Sequence, residues 1–313
     1  MSVDGILNIF KPAGRTSFSV VSLLRRLSGE RRVGHTGTLD PEATGVLVVC
    51  FGQATKVIRF LAKVRKTYQA EIELGVATDS YDATGMVVKR GDPSSVSREQ
   101  VEQTLDSFRG PIEQVPPMYS ALKYEGKRLY RLAWEGIEVP RKPRAVQIFR
   151  LELLEWQSPV VSIEVECSAG TYIRSLAQDI GAAIGCGAHL RKLVRLKSEP
   201  FHISEAVSLP LIEEAFHLGY WHRFLYPIDE VLLGWEVTIL SKENEALVGN
   251  GKLLSLGDER LLAHPVNRCR AYSVDGRFLA VLRQENQGLW HPEKVFHSVD
   301  RHNVSCSAQP LNP

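Results

Sequence analysis

Six consecutive apolar residues, Val46-Leu47-Val48-Val49-Cys50-Phe51, follow almost directly on a loop-forming stretch that runs from Gly34 to Gly45. A run this short and this apolar reads as a strand buried in a core. The stretch before it, Gly-His-Thr-Gly-Thr-Leu-Asp-Pro-Glu-Ala-Thr-Gly, is built from turn-forming residues and carries the carboxylate of Asp40. A carboxylate beside such a strand stands at the edge of the core, where it faces a ligand without joining the packing. Asp-Pro also serves a plain turn, so the residues alone leave both readings open.

Around this strand the chain alternates irregularly between strand and helix patterns. Ile6 to Phe10 is a short strand that ends in the turn Lys11-Pro12-Ala13-Gly14, and Thr16 or Ser17 caps a helix with the stripe Val20, Val21, Leu24 and Leu27, stopped near Gly29. A second helix is expected over about 54–62 and a strand over Tyr68 to Leu74. Ser97-Arg98-Glu99-Gln100 is a capping-box pattern that opens a helix with Val101, Leu105 and Phe108 on one face. Pro116-Pro117 forces an extended, irregular segment. A short helix over Arg128 to Gly136, strands over Val146 to Trp156 and Val160 to Cys167, and a helix over Thr171 to Ile184 follow. Without regular βαβ alternation, this order predicts an α+β fold with a mixed, mainly antiparallel central sheet.

The length of 313 residues suggests about two domains. A boundary falls between about 228 and 236, which divides the chain into residues 1–230, a smaller β-barrel-like module over 231–300, and a polar tail over 301–313. The module is expected to hold a strand from Trp235, a helix over Ser241 to Val248, and strands around Cys269 to Tyr272 and Phe278 to Leu282.

No run of about 18 apolar residues exists, so no membrane helix is expected. Met1-Ser2-Val3-Asp4-Gly5 has neither a basic flank nor an apolar signal core. The five cysteines are widely spaced with no Cys-x-x-Cys pair, which indicates neither a disulfide framework nor a zinc site. A reducing cytoplasm is the expected location.

The net charge of +2 is uninformative, but its distribution is not. Residues 120–150 hold Lys123, Lys127, Arg128, Arg131, Arg141, Lys142, Arg144 and Arg150 against Glu125, Glu135 and Glu138. Residues 189–197 hold Arg191, Lys192, Arg195 and Lys197 with no acid. Such stripes suit a polyphosphate partner such as nucleic acid, although a solvated face reads the same way.

The remaining motifs narrow the chemistry. Asp40 is expected to have no nearby partner acid, so a glycosidase-type carboxylate pair is not indicated. No His-rich or Asp-rich cluster offers metal ligands. Gly34-His35-Thr36-Gly37 lacks the ending of a phosphate-binding loop, and Gly181, Gly185 and Gly187 make no dinucleotide fingerprint. A lone carboxylate as nucleophile or base remains. Arg174, in Gly170-Thr171-Tyr172-Ile173-Arg174, either faces solvent or reaches back to a buried acid such as Asp40. Tyr68 reads as core, or as a ring face for an extruded base.

Taken together, these segments resemble the bacterial tRNA pseudouridine-55 synthases, the TruB family. The resemblance rests on residues 34–45, on Lys66-Thr67-Tyr68, on Gly170-Thr171-Tyr172-Ile173-Arg174-Ser175, and on Pro-Pro-Met-Tyr-Ser-Ala-Leu-Lys-Tyr-Glu-Gly-Lys-Arg-Leu-Tyr at 116–130. Gly187-Ala188-His189-Leu190 and Arg195-Leu196 complete it, so that it covers about residues 4–200. Past about 230, similarity to the RNA-binding PUA module is weaker and rests mainly on element order.

The resemblance implies a pseudouridine synthase fold with a PUA-like module at the C-terminal end. It implies an enzyme that flips uridine 55 of the tRNA T loop out of its stack, breaks the N1–C1′ bond and rejoins the base through C5. By the same resemblance Asp40 is the catalytic carboxylate, Tyr68 stacks on the base and transfers a proton, and Arg174 pairs with Asp40. His35 fills the gap left by the base and Leu196 lines the pocket. Tyr172, Lys123, Lys127 and Arg128 go with substrate binding. No metal or cofactor is implied, and a monomer with no obligate protein partner is expected. Two departures from the family pattern, Trp134 for the usual Arg and Ser80 for a common Thr, are expected to leave the catalytic set untouched. A non-catalytic tRNA-binding or folding chaperone and a guide-RNA-dependent synthase subunit are the competing readings.

Overall fold

The computed structural model describes residues 3–256, 267–285 and 288–297. The expected polar tail over 301–313 lies outside the described residues. Strand β1 (Gly5–Lys11) leads into helix α1 (Ser17–Ser28), whose N-cap Thr16 accepts from the Ser19 N–H at 3.0 Å. Helix α1 ends at Gly29, whose φ is +68°. Leu23 is buried on this helix while Leu27, one turn further on the same face, is 36% exposed, so the buried face ends before the last turn. Strands β2 (Val33–His35) and β3 (Thr44–Phe51) flank the Asp40 loop. The helix expected over 54–62 is a 3-10 turn, Gly52–Val57, that runs into the short α2 (Ile58–Leu61).

Strand β4 (Lys66–Leu74) is followed by the small hairpin of β5 (Val76–Thr78) and β6 (Val87–Arg90). The Ser97 hydroxyl caps α3 (Arg98–Ser107) by accepting from Gln100 N, and Val101 and Leu105 are buried as expected. Strand β7 (Gly110–Gln114) follows, then the two-residue strands β8 (Lys123–Tyr124) and β9 (Lys127–Arg128), and α4 (Leu129–Trp134). The long pair β10 (Arg144–Gln157) and β11 (Val160–Cys167) precedes α5 (Ile173–Ile184). Strands β12 (Ala188–Ser198), β13 (Phe201–His202) and β14 (Val207–Ser208) and helix α6 (Leu209–His217) close this part of the chain.

The main sheet has the order β14-β1-β3-β12-β4-β11-β10-β7, with β2 added to β3 and β13 to β12. The β14/β1 and β3/β12 pairs are parallel and the others antiparallel, which is the mixed, mainly antiparallel sheet expected. Its centre explains the unbroken apolar run. Leu47, Val49 and Phe51 of β3 pack with Val20, Val21 and Leu24 of α1 and Ile212 of α6. Val46, Val48 and Cys50 face the other way, onto Val57, Leu61, Val281 and Phe296. A strand covered on both faces has no use for alternation. On the far half of the sheet, Ala70 and Ile72 of β4 and Ile163 of β11 share a core with Leu176 and Ile180 of α5.

The C-terminal sheet is built from β15 (Val237–Leu240), β16 (Leu254–Ser255), β17 (Arg268–Ser273), β18 (Phe278–Gln284) and β19 (Leu289–Val295), in the order β15-β17-β18-β19-β16, with helix α7 (Lys242–Gly249) beside it. It docks on the outer face of β3 through Val281 and Phe296. Gln53 and Lys56 fasten the contact, donating to His297 O at 2.6 Å and Val295 O at 2.7 Å. Strand β19 escapes a sequence reading because Pro292 interrupts it. The strand tolerates the proline at a register irregularity, where Val281 pairs with Lys294 and Leu282 with Pro292.

Strand β12 is the other element that sequence patterning hides, because its basic residues look like surface. It lies between β3 and β4 at the middle of the sheet. Arg191 and Lys192 are exposed, but Arg195 is 1% exposed. The stripe over 191–197 is therefore not one solvated basic face.

Gly45 of β3 lies against the backbone of its register partner Arg195 on β12. Its φ is +101°, and a Cβ there would lie 2.3 Å from Arg195 O. At Gly29 a Cβ would meet nothing within 4 Å. Gly29→Ala should cost about 1–2 kcal/mol for the left-handed backbone alone, and Gly45→Ala distinctly more. Urea midpoints of the two variants check this, and equal losses would contradict the close approach.

Candidate active site

The loop between β2 and β3 is held from below by side chains that leave Asp40 at its open edge. The Ser17 hydroxyl accepts from Leu39 N–H at 2.8 Å and donates to Leu39 O at 3.1 Å, which fixes the residue before Asp40. Lys11 fixes the residue after it. Its ammonium is fully buried and donates to Pro41 O at 2.8 Å, Pro12 O at 2.8 Å and Arg15 O at 2.6 Å. Arg195 donates to Val46 O at 2.6 Å and Gly37 O at 3.1 Å, tying both ends of the loop to β12. Burial lowers the Lys11 and Lys66 pKa values to about 8; nearby Glu42 and Asp40 partly offset this at Lys11, while Arg195 adds to it at both.

Arg174 reaches Asp40 from the first turn of α5. Its Nε lies 2.9 Å from Asp40 Oδ2 and its Nη2 donates to Asp40 Oδ1 at 2.9 Å, a two-point contact of guanidinium and carboxylate. The same guanidinium donates to Tyr119 O at 2.8 Å and Ser80 O at 3.4 Å, and stands 3.6 Å from Asp82 Oδ2. Arg174 is 5% exposed, whereas the Asp40 side chain is 39% exposed. The pair is thus closed on the arginine side and open on the carboxylate side. Loss of water around Asp40 raises its pKa above the usual carboxylate value; Arg174 opposes this and Asp82 adds to it.

Two expectations need correction here. Asp40 does have a neighbouring acid, because Asp82 shares Arg174 with it across the turn after β5. Ser80 does touch this set: its carbonyl accepts from Arg174, and its hydroxyl donates to Asp82 Oδ1 at 2.7 Å. Trp134, the other departure, stays away from Arg174; it is 73% exposed and rests against Tyr130.

Asp40 and Arg174 open into a cleft of about 520 Å³, lined also by Glu42, Asp82, Leu190 and Leu193. Tyr68 does not line it. It is 7% exposed and packs with Leu39, Ala43 and Leu193 beneath the loop. Burial raises its pKa, an effect that Arg195, its register partner on β12, counters. Leu196 lies beside that pair at a break in register, since Arg195 pairs with Tyr68 and Lys197 with Thr67. Such a bulge re-aims a side chain next to a site.

His35 is on β2, half-buried, with its Nδ1 unpartnered, and burial lowers its pKa. The backbone of Tyr172, at the N-cap of α5, exchanges hydrogen bonds with the buried Gln114 side chain at 3.0 and 3.3 Å. Lys123, Lys127 and Arg128 are exposed on the β8–β9 hairpin, apart from the cleft lining. Sequence reasoning missed Lys11, Asp82, Lys66 and the buried role of Arg195. A lysine closing an apolar strand, as Lys11 does, was the one signal available. Among the described residues no group of three or more His, Cys, Asp or Glu side chains is placed to hold a metal ion, and no helix is long and apolar enough to cross a membrane.

The fold is that of the pseudouridine synthases. A solved Cbf5-Nop10-Gar1 complex matches 94% of this chain and 85% of its own, at 26% identity and a TM-score of 0.71. An H/ACA RNP bound to a substrate RNA containing 2'-deoxyuridine shares the fold at 23% identity and a TM-score of 0.70, covering 95% of this chain and 86% of its own. The five-stranded C-terminal sheet is consistent with the expected PUA-like module.

Residues 25–173 match the description "TruB family pseudouridylate synthase (N terminal domain)", and residues 174–233 match "tRNA pseudouridylate synthase B C-terminal domain". The tRNA pseudouridine synthase B of Dehalococcoides mccartyi is 45% identical over 294 residues, 94% of this chain and 97% of that one. The protein of the same name from Clostridium tetani is 42% identical over 260 residues, 83% of this chain and 88% of that one. The chain belongs to the TruB family and is a pseudouridine synthase.

Removing the buried guanidinium leaves Asp40 and Asp82 facing each other without their shared cation. Arg174→Met should cost about 3 kcal/mol, the lower end for a broken buried pair, because Asp40 can be rehydrated. Arg174→Lys should recover part of this, since one ammonium cannot make both contacts. Chemical denaturation measures the loss, and a Met variant as stable as the wild type would show that the pair adds nothing.

Proposed function

We propose that this chain isomerises uridine 55 in the T loop of tRNA to pseudouridine, with Asp40 as the catalytic carboxylate. The two-point Arg174–Asp40 contact at an open cleft supports the reading most directly. It favours the charged form of one outward-facing carboxylate while its charge partner is sealed beneath it. The curated relatives over most of the chain's length carry the name tRNA pseudouridine synthase B, which supports tRNA as the substrate.

The uridine is inaccessible while stacked, so it must be everted, at a cost of a few kcal/mol. His35 and stacking on an aromatic ring offset that cost in this reading, with His35 in the vacated place. The N1–C1′ bond then breaks, the uracil turns, C5 joins C1′, and the C5 proton leaves to a base while N1 gains one. The balance needs no oxidant, reductant or second substrate. An ionised Asp40 serves attack on the sugar, attack on the base or elimination alike. Tyr68 is assigned to the proton transfer and to stacking on the uracil, with Leu196 at its side. At 7% exposure its ring meets the base only if the loop over it gives way. Tyr172 and the cations Lys123, Lys127 and Arg128 are assigned to substrate binding, the cations to RNA phosphates.

Residues 1–230 form the catalytic domain in this reading, and 231–300 an RNA-binding module. The chain acts in the cytoplasm as a monomer without a guide RNA or partner subunit. The purified chain should form pseudouridine in a bare T-arm hairpin; a requirement for added subunits would favour the guide-dependent reading instead.

Asp40→Asn should abolish product while the tRNA still binds, because Arg174 keeps Asp82, Tyr119 O and Ser80 O as partners. Turnover near the wild-type rate would remove Asp40 from the mechanism. In the wild type, activity needs the carboxylate ionised, and burial raises its pKa. The acid limb of kcat/KM should therefore turn above the ordinary carboxylate value of about 4. A profile that stays flat down to that value would contradict the assignment.

A further inference from the structure

Residues 116–142 carry a small core of their own, Met118, Leu129 and Leu132, and show two kinds of side chain outside it. Lys123, Lys127, Arg128 and Arg131 are exposed, and none of the four is ion-paired among the described residues. Beside them, at the last position of α4, stands Trp134. It is 73% exposed and is the only exposed tryptophan of the five in the chain. Tyr130, one turn earlier, meets it edge to face, with ring centroids 4.9 Å apart and planes at 67°. That contact braces the indole from one side, and its exposure leaves the rest of the ring open to solvent.

A large aromatic side chain held in water forgoes the burial that normally accounts for its presence. Arg131 and Glu135, both exposed, flank Trp134 in the chain, and the exposed Ile137 follows three residues on. Unpaired cations next to one open aromatic face suit a flat ring carried on phosphates. The segment is also joined to the cleft: Tyr119 O accepts from Arg174 and Val115 O accepts from the Ser175 hydroxyl at 2.8 Å.

We propose that Trp134, braced by Tyr130, is a stacking platform for an unpaired base of the substrate RNA, in place of a charge contact at that position. The inference rests on the reading that the chain acts on an RNA loop. Stacking accepts any base, so the platform adds affinity rather than sequence choice. It also adds no counterion release, which separates it from the cations around it.

The test uses the full chain and a T-arm RNA hairpin. Trp134→Ala should raise Kd and KM about tenfold, with a much smaller change in kcat, and Trp134→Phe should keep most of the affinity. The slope of log Kd against log salt should stay at the wild-type value in Trp134→Ala and become shallower in Lys127→Ala. Trp134→Arg should instead steepen it by about 0.7, one added phosphate contact on a single strand. Hairpin-induced quenching of tryptophan fluorescence should vanish in Trp134→Phe. Trp134→Ala with wild-type Kd, or quenching that persists in Trp134→Phe, would overturn the platform. Because Trp134 is exposed at a helix end, a circular dichroism spectrum like the wild type's is expected and guards against misfolding. A wild-type chain that makes no pseudouridine in tRNA would defeat the functional reading separately.

Discussion

Arg174 is always charged and is buried almost completely, so the protein must supply its counter-charges and acceptors from nearby. It draws them from three stretches that are distant in sequence: Asp40 in the loop before β3, Ser80 and Asp82 after β5, and Tyr119 before β8. Each stretch alone is irregular backbone that would be free to move. Satisfying one guanidinium makes their positions depend on one another, and the open side of Asp40 is what remains for a ligand.

The floor of the loop follows a different logic. Lys11, Lys66 and Arg195 are buried with mainly backbone carbonyls as partners, whereas Arg174 meets carboxylates. Carbonyls satisfy an ammonium's hydrogen bonds without neutralising it. Of these buried cations, Lys11 favours the ionised form of Asp40, against the burial that disfavours it. The depressed Lys11 and Lys66 pKa values are the other side of this arrangement, since each cation is held in a place that would rather be neutral.

Elements whose cause is local were legible in the sequence. The run Val46 to Phe51 announced a buried strand, and Ser97 announced the start of α3. Elements set by distant partners were not. Arg195 reads as surface until β12 is seen wedged between β3 and β4, and Pro292 reads as a break until its register irregularity is seen. The Arg174–Asp40 contact spans 134 residues; the residues alone left it as one of two readings, and the family resemblance favoured it. Asp82 was passed over because its bond to the site runs through Arg174 rather than directly to Asp40.

The strand that made the fold legible also explains how two parts of the molecule come to share one support. One face of β3 packs on α1 and α6, and the other on the C-terminal sheet through Val281 and Phe296. The Asp40 loop enters this strand directly, and its backbone is tied to β12 at Val46 O and Gly37 O. A shift of the C-terminal sheet on β3 would therefore bear on the same strand that holds the loop. Close-packed contacts on both faces resist such a shift, because moving one layer opens voids in the other. An RNA that touched the C-terminal sheet and the cleft together would meet surfaces already set at one spacing, so binding at one would not need to order the other.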